Sequence, residues 1–169
     1  QWFPRLCVYS DFQGWQNHQF TGRGEFALAF GNYNVKMTVP SDHVVCATGE
    51  GQNYASLLSP AQMKRWQQAQ TSKEPVEIVN LEEAKKAEEN RGGKNSDATR
   101  TWHFKAQNVS DFAWGSSRKF VWDAMAIDQA GKKVMCMSFY GKEAYPLYRK
   151  YSTKVVAHTI RTYSKYTVD

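Results

Sequence analysis

Residues 102–124, WHFKAQNVSDFAWGSSRKFVWDA, place six large aromatic rings in two strand-like runs. In the first, Trp102, Phe104 and Ala106 alternate with His103, Lys105 and Gln107. In the second, Phe120 and Trp122 alternate with smaller or polar residues. A period of two sends successive side chains to opposite faces of a strand, so these runs predict a half-buried antiparallel sheet. Aromatics make up 14% of the chain, and with many Val and Thr they favour a β-rich fold. At 169 residues and 41% apolar, the chain can bury the core of one domain, or of one domain with a short extension.

The rest of the chain reads as strands interrupted by helices. Residues 2–9 read as a strand, with Pro4 marking an edge or an entry. Gly14 and Gly22-Arg23-Gly24 punctuate a loop that carries Phe12, Trp15 and Phe20. Phe26, Leu28 and Phe30 alternate, Gly31-Asn32 reads as a hairpin turn, and Tyr33, Val35, Met37 and Val39 alternate after it. Pro40-Ser41-Asp42 turns again into a return strand at His43–Thr48, so the first ~50 residues predict a meander. Ser59-Pro60-Ala61-Gln62 carries an N-cap, a first-turn proline and a capping-box glutamine, predicting a helix to about Gln70. Residues 76–79 read as a short strand, and Asn80-Leu81-Glu82-Glu83 opens a helix to about Glu89. A charged loop follows at 90–97. The segment 59–98 therefore looks like an insertion, either a binding loop or decoration. Asp128–Gly131 turns, Val134–Tyr140 is a strand, and Ser152 caps a helix to about Lys165 with Val155, Val156, Thr159, Ile160 and Tyr163 in one stripe.

Reactive constellations are sparse. The four histidines, His18, His43, His103 and His158, have no histidine partner four residues away. Zinc on a helix needs two imidazoles at that spacing, with a Glu to activate water. No metal ligand and no catalytic residue is assigned in this chain, and the substrate-binding residues are unknown from sequence. Cys7, Cys46 and Cys136 lie in apolar runs and read as buried free thiols. Gly22-Arg23-Gly24 holds only half of a dinucleotide fingerprint, and Gly115-Ser116-Ser117 lacks the second glycine of a nucleophile elbow. Asn108-Val109-Ser110 is formally a glycosylation sequon but reads as a turn. Asp11, Asp42, Asp111 and Asp123 read as turn or strand-end residues. The net charge of +6 comes from basic residues scattered among acidic ones, a solvated surface rather than a nucleic-acid face. No apolar run approaches the ~20 residues that cross a bilayer.

Three segments carry a resemblance: QWFPRLCVYSDFQGWQNHQFTGRGEF, the aromatic run 102–124, and KVMCMSFYGKEAYPLYRKYSTKVVAHTIRTYSKYTVD. Together they resemble the N-terminal β-domain of bacterial M1 (aminopeptidase N-like) zinc metallopeptidases, with the weakest match between Glu50 and Ala98. The resemblance implies a mainly β (α+β) fold, an antiparallel saddle-like or sandwich-like β-domain with short inserted helices. It divides the chain into residues 1–128, the N-terminal β-domain, and residues 129–169, the strand and helix that open a truncated thermolysin-like catalytic domain. In that family an H-E-x-x-H helix with a downstream Glu binds zinc, and a G-x-M-E-N-like strand recognises the substrate N-terminus. Neither motif is in this chain. The resemblance thus implies a non-catalytic wall of the substrate channel. Its partners are the remainder of the same polypeptide and a peptide substrate, with zinc bound in the intact parent only. The last helix would then turn an apolar stripe toward an absent neighbour. Relatives are often exported, but this segment carries no address. From the residues alone, the competing reading is a stand-alone β-sandwich module that binds peptide or carbohydrate.

Overall fold

A computed structural model describes residues 3–19, 22, 28–90 and 97–167. The expectations for Trp2, Phe20, Arg23, Gly24, Phe26 and most of the 90–97 loop lie outside the described residues. The fold is mainly β with antiparallel sheets, several short helices and a C-terminal helix, as the sequence predicts.

Of the strand expected at 2–9, the described residues 3–9 contribute only Tyr9 to a strand, in the short pairing of β1 (Tyr9–Ser10) with β2 (Gly14–Trp15). Pro4 offers no backbone donor, and Leu6 stands 87% exposed with no sheet face to join. The long strands come next. β3 (Gly31–Pro40) alternates as expected, with Met37 and Val39 buried and Lys36 and Thr38 exposed. Gly31-Asn32 does not turn; it begins this strand, and the Asn32 side chain accepts a hydrogen bond from the Asn108 N–H. β4 (Val44–Ala47) is the expected return strand, but it does not pair with β3. The predicted meander is replaced by long-range pairing. Alternation fixes which face a residue takes; it does not name the partner strand.

That partner is β7 (Thr99–Val109), which pairs with β3 from Pro40↔Thr99 to Gly31↔Val109. Its Trp102, Phe104 and Ala106 are buried while Lys105 and Gln107 are exposed. β5 (Glu50–Gly51) pairs with the other side of β7, giving the sheet β3-β7-β5. β4 pairs with β8 (Trp114–Ser117). A helical turn, α1 (Tyr54–Leu57), follows β5 and was not legible in the sequence.

The described residues 59–90 of the expected insertion supply a sheet strand and buried side chains rather than decoration. α2 (Pro60–Ala69) begins with the full capping box at Ser59 and Gln62, as expected. β6 (Val76–Val79) joins β9 (Phe120–Gln129), and β9 joins β10 (Lys132–Gly141), giving the sheet β10-β9-β6. α3 (Leu81–Glu89) carries a second capping box, Asn80 with Glu83, and its Ala84 is buried. Arg65 of α2 donates to both oxygens of Glu83 at 2.6 Å, joining the two helices.

β9 corrects a further expectation. Residues 121–125 are all buried, so the strand is covered on both faces rather than half-buried. Its hairpin with β10 runs in register from Gln129↔Lys132 to Phe120↔Gly141 and turns through Ala130 (φ +47°) and Gly131 (φ +73°). The division expected at 128/129 falls one residue before the end of β9, and β10 beyond it pairs with β9 along its whole length.

One core lies between the sheets. Trp102 and Phe104 of β7, Trp122 and Ala124 of β9, Ile78 and Val79 of β6, and Tyr54 and Ala69 belong to it. Tyr54 links the two sides, with ring centroids 6.2 Å from Trp102 and 5.4 Å from Trp122. The outer face of β10-β9-β6 is covered by α4 (Tyr145–Tyr166). This helix starts seven residues before Ser152, at a first turn containing Pro146. Ser152 is therefore not a cap; it lies in the helix and donates to Ser138 Oγ at 3.0 Å. Thr153, Val156, Ala157 and Ile160 face the sheet. Val155 and Tyr163, expected in the same stripe, point outward at 56% and 66% exposure.

Candidate functional site

A groove of about 430 Å³ opens between β5 and β10, each the end strand of its sheet. Gly49, Glu50 and Gly51 form one wall; Lys133, Val134, Met135 and Met137 form the other. Tyr54 and Trp66 make the floor, with ring centroids 5.1 Å apart in an edge-to-face arrangement. The glycines set the first wall. Gly49 has φ +88°, and a Cβ there would lie 2.2 Å from the Lys105 carbonyl oxygen. A Cβ on Gly51 would lie 2.2 Å from the Tyr54 ring. Only glycine lets β5 lie this close to β7 and Tyr54 slide beneath it. Burial pushes the Tyr54 hydroxyl up to about 12, opposed by the Gly51 backbone and aided by Glu50. At neutral pH it is a fixed phenol. Aromatic floor, two methionines and oppositely charged rims make a surface that binds rather than reacts.

A second constellation lies beneath α4. Glu77, Asp123 and Ser138 stand in one row across β6, β9 and β10. Asp123 is fully buried in mid-strand, not at a strand end as its type suggested. Tyr140 Oη donates to Asp123 Oδ2 at 2.7 Å, and Asp123 Oδ1 has no hydrogen-bond partner. Arg149 Nε (2.5 Å) and Tyr145 Oη (2.9 Å) both donate to Glu77 Oε1. Burial raises Asp123 to about 6, while the Tyr140 hydrogen bond and Arg149 pull it down and Glu77 adds to the rise. Sequence reasoning missed this cluster. A lone Asp between Trp122 and Ala124 gave no period to separate it from a turn residue.

The four histidines do not converge. His18 Nε2 meets Gln16 at 3.0 Å, His103 Nε2 meets Asn34 at 2.6 Å, and His158 Nε2 lies 3.4 Å from Thr162. His43 Nδ1 lies 3.2 Å from Ser116 Oγ, a nucleophile–base distance. Burial lowers the His43 pKa and so favours the neutral ring, with Asp42 opposing and Arg118 and Arg100 assisting. Among the described residues no third group hydrogen-bonds the ring: Asp42 is held by Arg118 Nε at 2.8 Å. Ser116 sits in the β4–β8 ladder rather than on a strained turn. This contact is cross-strand packing. Among the described residues, no group of three or more His, Cys, Asp or Glu side chains is placed to hold a metal ion. Cys136 is buried, while Cys7 and Cys46 are half-buried; all three are free. Asp111 pairs with Arg5 at 3.1 Å. No helix among the described residues is long and apolar enough to cross a membrane.

Comparisons with protein-family models, curated proteins and solved structures return no match.

Proposed function

We propose that this chain is the non-catalytic N-terminal portion of an M1-type zinc metallopeptidase, packing on the catalytic domain and walling its substrate channel. The observation that carries the reading is the two-sided character of α4. Its inner side, Thr153, Val156, Ala157 and Ile160, meets the sheet. Its outer side exposes Leu147, Tyr151, Val155, Tyr163 and Tyr166, while Tyr148 packs on Tyr140 of β10 at 5.5 Å between ring centroids. A helix that covers a core on one side needs only one apolar stripe; a second stripe belongs to a helix lying between two bodies. The resemblance names the second body as the catalytic domain of the same polypeptide. In that domain zinc would supply a water activated for attack on the peptide carbonyl. The residues of this chain would position peptide and exclude solvent.

The test compares residues 1–169 with the longer parent polypeptide. The chain alone is expected to turn over no aminoacyl reporter, with or without zinc, and the parent to turn it over until chelated. The double change Tyr151→Glu and Val155→Glu is expected to leave the chain alone folded and to cut the yield of folded parent several-fold. Zinc-dependent turnover by the chain alone would overturn the reading, as would a parent indifferent to both changes. Indifference would favour the stand-alone binding module, which the groove between β5 and β10 supports.

A further inference from the structure

We propose that the groove between β5 and β10 binds an extended polypeptide segment, which adds as a strand to the free edge of β10. Four features point to this ligand. Among the described residues β10 ends its sheet, so one row of its backbone N–H and C=O groups faces away from β9. Such a row is a template for another strand and supplies affinity through main-chain hydrogen bonds. Beside that edge lies a recess for a side chain, floored by Tyr54 and Trp66 and walled by Met135 and Met137. Unbranched thioethers and ring faces adapt to differing apolar side chains, which suits a peptide better than one rigid small molecule. The third feature is the opposite wall. Gly49 and Gly51 hold this wall close against β7 and Tyr54, where a Cβ would lie 2.2 Å from the Lys105 carbonyl oxygen or the Tyr54 ring, so its position beside the groove is fixed. The fourth is charge. Glu50 on one wall and Lys133 on the other lie across the groove and orient a ligand with a basic group toward β5 and an acidic group toward β10.

A sugar fits less well. Saccharide sites pair a ring platform with several convergent polar side chains, whereas here the aromatic floor is flanked by methionine, valine and glycine. Strand addition at β10 does not depend on the peptidase reading. Its test uses ligands blocked at both ends, which no exopeptidase consumes, so either idea can fail without the other.

The probe is an acetylated, amidated hexapeptide alternating leucine with threonine, with aspartate at one end and lysine at the other. Backbone amide resonances of the labelled chain report its binding. Saturable shifts are expected at Val134–Met137 and Gly49–Gly51. N-methylation at alternate peptide nitrogens is expected to weaken binding at least tenfold, because it removes strand-pairing donors. Trp66→Ala is expected to weaken it by a similar factor. Because Trp66 also touches Trp122, 5.4 Å between centroids, the surface change Lys133→Glu serves as a second variant. It should weaken the probe at least threefold and strengthen a version with lysine at both ends. No shift at millimolar peptide would overturn the proposal. So would binding unaffected by N-methylation, or binding of maltohexaose at these residues in place of peptide.

Discussion

The two faces of the β10-β9-β6 sheet are sealed in different ways. Toward the main core, Trp122 stacks on Phe139 at 5.1 Å and meets Tyr54 and Trp66 at 5.4 Å, with Ala124 and Val79 beside it. Toward α4, apolar patches at Met125, Ile127 and Cys136 and at Val121, Tyr140 and Ala84 flank the Glu77–Asp123–Ser138 row. The first face holds by area, which is non-directional and nearly independent of pH. The second holds partly by a few directed hydrogen bonds around a trapped carboxyl group. The core face therefore answers to volume, and the α4 face answers to protonation.

The largest expected effect comes from breaking the volume-dependent face. Trp122→Ala empties a fully buried site and should cost about 3–5 kcal/mol in urea unfolding, enough to threaten folding altogether. Trp122→Phe gives a sharper reading. The indole Nε1 is buried without a hydrogen-bond partner, so removing it also removes an unsatisfied donor. Phe is expected to recover most of the loss. A Phe variant as damaged as the Ala variant would show that the indole N–H is satisfied and that this face is directional too.

The same contrast separates what the sequence made legible from what it did not. Period two in Tyr33–Val39 and Trp102–Ala106 placed the right residues inside, because one face of each strand meets water. Both capping boxes were legible because their hydrogen bonds are local. Strand partners were not. The β3–β7 ladder joins residues far apart in sequence, from Pro40↔Thr99 to Gly31↔Val109, and alternation is blind to that choice. β9 was legible as a strand but not as one buried on both faces: Phe120 and Trp122 suggested alternation, and Asp123 looked like punctuation. In α4 the signal at Ser152 outcompeted Pro146, and two apolar sides blurred into one stripe. Of the groove, Trp66 was legible only as a residue of the helix that Ser59 caps. Tyr54 and the glycines gave no signal, because their meaning is a close approach between distant elements.

The next effect tests the α4 face. Asp123 is raised from the ordinary carboxylate range to about 6, mainly by burial. Between about pH 4 and 6 the folded chain holds a proton that the unfolded chain has released. Stability from this group is therefore full below pH 4 and falls as pH rises through 6. The groups facing Asp123 are Glu77 from β6, Tyr140 from β10, and Tyr145 and Arg149 from α4. Asp123→Asn keeps an acceptor for Tyr140 and removes the titration. The variant should match the parent near pH 4 and exceed it by about 1–3 kcal/mol near pH 7.5, since a tenfold difference in proton affinity between folded and unfolded chain is worth about 1.4 kcal/mol. Unfolding midpoints across that range check it. A parent whose stability is flat or rises between pH 4 and 6, with Asn making no difference, would remove the distinction between the faces.

The smallest effect probes how the α4 face is wired. Arg149→Gln deletes the cation at Glu77, yet Tyr145 Oη still donates to the same oxygen at 2.9 Å. The pair is also partly open to water, so the direct loss should be about 1 kcal/mol or less. The informative change is in position rather than size. Arg149 holds Asp123 down, whereas Glu77 pushes it up. Without the guanidinium, Asp123 should keep its proton to higher pH, and the fall in stability should move upward with it. In the Asp123→Asn background the same substitution has no titration left to move, and its cost should be independent of pH. A pH-dependent cost in that background would show that a group other than the carboxyl inside β9 is the one through which α4 feels acidity.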